Sequence, residues 1–151
     1  MKNSIIFLFV FMYTASAWCA ETNPRHYQVT RLMSQAPVID GILDDEAWNN
    51  GGWEGNFIQF EPFGGQEPSQ ATRFAVMFDD HYLYVAIRAF DSSPDSIVNR
   101  LTRRDQADGD AVGIAFDSYF DQRTAFVFAV SSAGIKFDWV ITENGNNEDH
   151  S

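Results

Sequence analysis

With 151 residues, of which 45% are hydrophobic and 15% aromatic, the chain is long enough for one packed domain and too apolar for intrinsic disorder. Its 21 acidic residues outnumber its 10 basic ones, and the net charge of -11 argues against binding to nucleic acid or to anionic membrane surfaces. The single cysteine, Cys19, excludes an intramolecular disulfide and a cysteine metal cluster.

The first residues have the pattern of a secretory signal peptide. Lys2 supplies a positive charge, an apolar run covers residues 5–13, and the small residues at 15–17 form a cleavage site. The apolar run is shorter than the roughly 20 residues that a membrane-spanning helix needs. We therefore expect cleavage after Ala17, with a second candidate cut after Ala20, and an exported protein that is periplasmic, outer-membrane-associated or extracellular. An uncleaved N-terminal anchor is the alternative.

After an entry segment at 18–35, whose sequence HYQVTRL predicts one edge strand, the hydrophobic pattern changes to a period of two. Apolar residues alternate in TRFAVMF (72–78) and in YLYVAIRAF (82–90), and the polar turn DDH at 79–81 separates the two runs. Alternation around a tight polar turn is typical of a β-hairpin. Because both faces are apolar in the middle of the hairpin, we predict a central strand pair.

A similar arrangement recurs in the second half of the chain. AVGIAFDSY (111–119) and TAFVFAVSS (124–132) flank the turn FDQR, and GIKFDWVI (134–141) predicts a further strand. The run TENGNNEDHS that follows is polar and turn-like. Because an antiparallel sheet needs its strands paired, we expect a fragment of a longer protein, incomplete at its C-terminus. A natural polar tail is the alternative.

The stretch APVIDGILDDEAW (36–48) combines an apolar pattern with three consecutive acids. Asp40 and Gly41 predict a bend, and Asp44 is a candidate cap for a one-turn helix whose positive end lies near the other acids. Trp48 follows in an apolar context and is predicted to enter the core. The acids are therefore interpreted as structural rather than catalytic.

The run SSPDSIVNRL (92–101) predicts a second short helix, because a serine cap precedes a proline that fits the first helical position. The predicted fold is all-β: an antiparallel, jelly-roll-like β-sandwich with one or two very short helices. The domain covers 36–151, after a signal peptide at 1–17 (or 1–20) and the entry segment at 18–35.

Clustered acids point to two kinds of site. Asp108 and Asp110 lie on the same side of an extended segment, as the paired carboxylates of a glycosidase would. In so acidic a chain, acidic loops without function are also expected. Asp105, Asp108 and Asp110 are in addition candidate ligands for a structural calcium ion, since hard cations prefer clustered oxygen atoms.

Tryptophan side chains are a second kind of candidate binding residue, because sugars stack their C–H faces on aromatic rings. Trp53 is flanked by glycines and polar residues, which favours exposure. Trp139 follows Phe137 in a predicted strand, and we expect one of these two side chains to face outward.

Three motifs, PVIDGILDDEAW, FDDHYLYVAIRAFD and DAVGIAFD, occur in an order that resembles the family 9 carbohydrate-binding modules. The resemblance covers about residues 36–140. It implies a β-sandwich that binds sugars without catalysis, is often attached to a glycoside hydrolase and sometimes carries structural calcium. The wider stretch from 103 onward resembles a subgroup of bacterial exported proteins, in which such a domain precedes an outer-membrane barrel.

Sugar-binding members of this family place a tryptophan three residues before the aspartate that opens the D-x-V strand, and a glutamate three residues after it. This sequence has Ala107 and Gly113 at those positions. The candidate substrate contacts in this chain are Trp53, Arg103, Trp139 and, as an orienting acid, Asp110.

These observations give one leading hypothesis and two alternatives. The leading hypothesis is a non-catalytic, secreted module that binds a poly- or oligosaccharide and is associated with polysaccharide breakdown through a glycosidase domain. The first alternative is a periplasmic docking domain of an outer-membrane barrel protein that has lost sugar binding, which the departures at Ala107 and Gly113 motivate. The second alternative is a glycosidase in its own right.

Overall fold

The computed structural model describes residues 25–103, 108–143 and 147–150, and it shows an all-β protein. The predicted signal peptide lies outside the described residues. Two short 3-10 helices accompany the strands, as the sequence predicts. The elements in chain order are β1 (Thr30–Arg31), η1 (Glu46–Asn50), β2 (Thr72–Phe78), β3 (Leu83–Ala89), η2 (Pro94–Ser96), β4 (Ala111–Phe116), β5 (Ala125–Ser131), β6 (Lys136–Thr142) and β7 (Asn147–His150).

The strands form two sheets. The first has the order β1-β2-β3, and the second has the order β4-β5-β6-β7. All described pairings are antiparallel except that of β1 with β2, which is parallel. The expected edge strand in the entry segment is confirmed, but the fully antiparallel arrangement is wrong at this pair. The predicted β2–β3 hairpin is confirmed, but it is not a central strand pair. Strand β2 is central in its sheet, whereas β3 lies at the edge.

One face of the β2–β3 hairpin carries the core of the described residues. The register sets Ala75 opposite Ala86 and Met77 opposite Tyr84, and all four side chains are buried. Because side chains alternate along a strand, these residues share one face. The segment before the hairpin covers this face with Ala47 and Trp48 of η1 and with partly buried Leu32, Leu43 and Trp53.

The motif 36–48 shapes this covering segment. The Asp40 carboxylate accepts a hydrogen bond from the Ile42 amide at 2.8 Å, which forms the predicted bend. Trp48 is 3% exposed, so its predicted place in the core is confirmed. The predicted cap at Asp44 is wrong: Asp45 occupies the N-cap position, and its side chain makes no capping hydrogen bond. The 3-10 helix of five residues thus starts one residue later than predicted.

The turn of the β2–β3 hairpin is organised by one carboxylate. Asp79 accepts hydrogen bonds at 2.7 Å from the amides of His81 and Tyr82 and from the Tyr84 hydroxyl. The hydrogen bonds from the His81 amide, the Tyr84 hydroxyl and the Tyr82 amide, in that order, lower the pKa of Asp79. The same contact with Asp79 raises the pKa of Tyr84. The turn thus joins a surface loop to a buried tyrosine of the core.

In the turn between β4 and β5, two aspartate carboxylates accept backbone hydrogen bonds in the same way. The Asp117 carboxylate accepts hydrogen bonds from the backbone amides of Asp121 and Gln122. The Asp121 carboxylate in turn accepts hydrogen bonds from the backbone amides of Arg123 and Thr124. The hydrogen bond from the Arg123 amide contributes most to lowering the pKa of Asp121, followed by those from Thr124. Acidic residues in this part of the chain therefore serve local backbone structure.

The second sheet corrects the expectation for Trp139. Phe137 pairs with Ala129 and Trp139 with Val127, so the two aromatic side chains lie on the same face of β6. Their rings are stacked, with centroids 6.0 Å apart and planes at 13°. The expectation that one of them faces outward is wrong, because residues two apart in a strand point to the same side.

The polar end of the chain also differs from expectation. Residues Asn147–His150 form β7, which pairs antiparallel with β6 from Thr142 to Trp139. The sequence predicts no strand here, since asparagine and acidic residues are depleted in strands. The unpaired backbone of β6 supplies the hydrogen-bonding partner that composition does not reveal.

The second predicted helix is shorter than the sequence indicates. It covers Pro94–Ser96, with Ser93 at the N-cap position but without a side-chain capping bond. The Val98 amide donates to the Asp110 carboxylate at 2.8 Å, and the Ser132 hydroxyl donates to the Val98 carbonyl at 2.9 Å. The amide and the carbonyl of Val98 therefore both bond to side chains outside the helix, and they are not available for the hydrogen bonds that would extend the helix through this residue.

Face-to-face packing of the two sheets remains a prediction, as do the jelly-roll topology and the incomplete C-terminus. Within the described ranges, neither helix approaches the length and hydrophobicity that crossing a membrane requires.

We predict that Trp48→Ala lowers the free energy of unfolding by roughly 3–5 kcal/mol, because it leaves a large cavity against the β2–β3 face. Urea denaturation followed by circular dichroism measures the loss. Asp45→Asn is the control and should change stability by less than about 0.5 kcal/mol, since the side chain makes no capping bond. Equal losses in the two variants would contradict the assignment of Trp48 to the core.

We predict that Asp79→Asn destabilises the protein at neutral pH and that the difference from the wild type shrinks in acid. A carboxyl group whose pKa is lowered by folding stabilises the fold above its unfolded pKa of about 3.9 and loses this contribution as the pH falls through the folded value. Thermal melts between neutral pH and strong acid measure the difference. The exposed Asp44 is the matched control, and Asp44→Asn should change the stability at neutral pH by less than about 0.5 kcal/mol.

Candidate functional site

An open cleft of about 520 Å³ lies where the segment after η1 meets the start of β2. Two stretches of chain form its walls. The isolated β-bridge between Glu54 and Phe74 holds them together, with reciprocal backbone hydrogen bonds of 2.9 and 2.8 Å. The lining residues are Trp53, Glu54, Gly55, Asn56, Ala71, Thr72 and Arg73.

The floor of the cleft depends on a close approach of two backbones. A Cβ atom at Gly55 would lie 2.9 Å from the Thr72 carbonyl oxygen, so a larger residue would push the walls apart. The Arg25 guanidinium donates hydrogen bonds of 2.7 Å to the carbonyls of Gly55 and Asn56. The entry segment thus fixes one wall of the cleft from outside.

Trp53 is the aromatic side chain of the cleft, and its ring has a defined orientation. The indole N–H donates to the Trp48 carbonyl at 2.8 Å, and the two tryptophan rings are tilted with centroids 6.4 Å apart. The side chain is half-buried, whereas its sequence context favours exposure. The Arg88 guanidinium lies 5.7 Å from the ring centroid in a cation–π contact.

The charges beside the cleft are mostly positive. Arg73 lines it, and Arg88 sits directly opposite Arg73 in the β2–β3 register. Glu54 is the one acid among the lining residues. The bridge register pairs Glu54 with Phe74, so it lies on the opposite face of the sheet from Arg73.

The other predicted contacts lie in the second half of the chain. Asp110 precedes β4, and its carboxylate is engaged by the Val98 amide. The neighbouring Asp108 forms an ion pair of 3.1 Å with Arg100. Arg103 is exposed at the end of a described range, and Trp139 lies in β6. The structure therefore sets Trp53 beside the first sheet and Asp110 and Trp139 on or beside the second.

Gly113, where the resemblance noted in the sequence implies a glutamate, has a packing reason to be glycine. Gly113 pairs with Ala129, and a Cβ atom at Gly113 would lie 2.9 Å from the Ala129 Cβ. A longer side chain requires β4 and β5 to shift. Ala107, the position of the family tryptophan, lies outside the described residues.

The candidate calcium ligands are only partly described. Asp105 lies outside the described residues, while Asp108 and Asp110 are engaged by Arg100 and by the Val98 amide. Among the residues that the structure describes, no three histidine, cysteine or acidic side chains form a group suited to a metal ion. Structural calcium stays a prediction.

Arg73 and Asn56, which line the cleft, and Arg88, which covers its tryptophan, are not among the contacts that the sequence predicts. The sequence does contain the information that places the two arginines opposite each other, because the hairpin turn sets the register of the two strands. Asp79 pairs with Tyr82 across the turn, and counting outward from that pair brings Arg73 opposite Arg88. No such signal exists for Asn56, whose place depends on a non-local contact with Arg25.

Comparison with family models, curated proteins and solved structures found no match to this chain. The function is therefore inferred from the geometry of the cleft and from the sequence motifs.

We predict that Asp110→Ala lowers the free energy of unfolding by about 1 kcal/mol, because the Val98 amide loses its acceptor. Asp108→Ala removes an exposed ion pair and should cost about 0.5 kcal/mol or less. Urea denaturation of the two variants measures both losses. A cost for Asp108→Ala that equals or exceeds that for Asp110→Ala would contradict the structural role of Asp110.

Proposed function

We propose that this protein is a non-catalytic carbohydrate-binding module and that its sugar site is the cleft beside Trp53. The observation that carries the proposal is a half-buried, oriented indole in an open cleft that is also lined by the exposed, polar Asn56. The lining of the cleft is more polar than apolar, which suits a ligand rich in hydroxyl groups better than an apolar small molecule.

Sugar rings have an apolar C–H face and a rim of hydroxyl groups. An indole whose orientation is fixed by the hydrogen bond to the Trp48 carbonyl loses little conformational entropy when a sugar stacks on it. The Asn56 amide supplies both a donor and an acceptor for sugar hydroxyls. Thr72 alternates with Arg73 along β2, so its hydroxyl lies on the other face of the sheet, with Glu54. The site needs no acid–base pair, which fits binding without hydrolysis.

Arg88 limits how a neutral sugar binds. The guanidinium covers part of the Trp53 ring, so a sugar that stacks on that part displaces it. Because Arg88 is exposed, the lost cation–π contact costs only about 0.5–1 kcal/mol. A modest affinity for neutral sugars is consistent with this cost.

The wider assignment rests on the sequence. The ordered motifs between 36 and 140 and the all-β structure support membership of the family 9 carbohydrate-binding modules, with export directed by residues 1–17. We infer that the natural partner is a poly- or oligosaccharide undergoing breakdown by an attached glycosidase domain. Arg103, Asp110 and Trp139 remain candidate contacts beside Trp53.

Docking to an outer-membrane barrel domain is the second candidate function, favoured by an exposed apolar loop. Phe60 is 90% exposed, and Ile58 and Phe63 are also exposed. Exposed apolar side chains close together in a loop are typical of an interaction surface. This function predicts no heat with any glycan and a loss of interdomain contact in the intact protein when Phe60 and Phe63 are changed to serine.

We predict that isothermal titration of the intact protein with xylo- and cello-oligosaccharides gives measurable heat, and that Trp53→Ala weakens binding by about tenfold or more, equivalent to about 1.4 kcal/mol. The reason is the loss of the stacking surface. Absence of heat with every glycan would contradict the proposed function.

Two variants separate binding from folding. Trp53 packs against the core, so Trp53→Ala is compared with Asn56→Gly, which removes the exposed lining amide and suits the left-handed backbone at φ 60°. Asn56→Gly should weaken binding while leaving the melting temperature almost unchanged. Trp139→Phe is the matched control for the second sheet, and a larger loss there than in Trp53→Ala would move the site to Trp139.

A further inference from the structure

Positive charge is concentrated beside the cleft of this acidic protein. Arg25, Arg73 and Arg88 contribute three of the 10 basic residues of a chain whose net charge is -11. Arg25 is tied to the wall of the cleft, Arg73 lines it, and Arg88 covers its tryptophan. The local sign of the charge is thus opposite to that of the whole molecule.

Arg73 and Arg88 form a like-charged pair across two strands. They are direct neighbours in the antiparallel register, at a spacing where equal charges destabilise a sheet. Among the side chains that the structure describes, no carboxylate lies within ion-pair distance of either guanidinium. Arg88 is partly compensated by the Trp53 ring, whereas Arg73 faces the open cleft.

The acid that lines the cleft does not relieve this repulsion. Glu54 lies on the opposite face of the sheet, in register with Phe74. Arginine stays protonated at any physiological pH, so the pair cannot lose a proton to lower the repulsion. Both side chains are exposed, so water and salt screen part of the repulsion, and an anion bound between the two guanidinium groups would compensate it more fully.

A carboxylate matches this arrangement. Its two oxygen atoms accept paired hydrogen bonds from a guanidinium fork, and such charge-assisted bonds are about twice as strong as neutral ones. A neutral sugar must displace Arg88 from Trp53, but an acidic sugar can pair with Arg88 while its ring contacts the indole. The two effects favour an acidic sugar over its uncharged counterpart.

Resting on the proposed function, we infer that the cleft selects acidic saccharides, with Arg73 and Arg88 binding the carboxylate of a uronate residue and Trp53 contacting its ring. The net charge of the molecule opposes the approach of a polyanion at long range. Salt screens this repulsion beyond about 10 Å at 0.1 M, whereas contacts within the cleft are screened much less.

The test compares trigalacturonate with its methyl ester, which has the same rings without the charges. Isothermal titration of the intact protein should show about tenfold tighter binding of the free acid. Arg73→Gln and Arg88→Gln should each remove most of this preference. For the methyl ester, Arg88→Gln should leave binding unchanged or make it tighter, because the indole is uncovered.

Arg100→Gln is the matched control, since Arg100 is an exposed arginine paired with Asp108 outside the cleft. It should leave the preference for the acid intact. Equal affinity for acid and ester, or a preference that survives both cleft variants, would overturn the inference while leaving sugar binding by the cleft standing. Absence of heat with acidic, esterified and xylo- or cello-oligosaccharides alike would remove the proposed function and this inference together.

Discussion

The burial of Trp48 against the β2–β3 hairpin is the contact on which the candidate site depends. The indole fills the face formed by Ala75, Met77 and Ala86, and this burial holds the chain before the hairpin in place. The carbonyl of the same residue accepts the Trp53 indole N–H. One buried residue therefore both closes the core and orients the aromatic side chain of the cleft.

The features that the sequence predicts well are those set by neighbouring residues. The β2–β3 and β4–β5 hairpins follow from strict alternation around short polar turns, and the aspartates of those turns accept amides only a few positions away. The bend at Asp40 is equally local. In each case, pattern and turn chemistry agree, and local agreement of this kind makes prediction possible.

Features that depend on contacts between residues far apart in the chain could not be predicted from the sequence. The short strand β7 consists of polar residues and exists because β6 offers an unpaired edge, which composition does not show. The helix at Pro94 stops early because Asp110, far along the chain, takes the Val98 amide. The cleft itself joins residues near 55 with the start of β2 through one isolated bridge, so Trp53 was a predicted contact while Arg73 was not.

In the proposed mode of binding, the opposed arginines would couple ligand binding to folding. Their repulsion is a small cost built into the hairpin that also carries the buried core. A ligand that neutralises the pair would remove this cost in the native state and not in the unfolded chain, and ligands that prefer the native state stabilise it. The hairpin would then be a locally frustrated element that reaches full stability when occupied, in the manner of binding sites that trade stability for function.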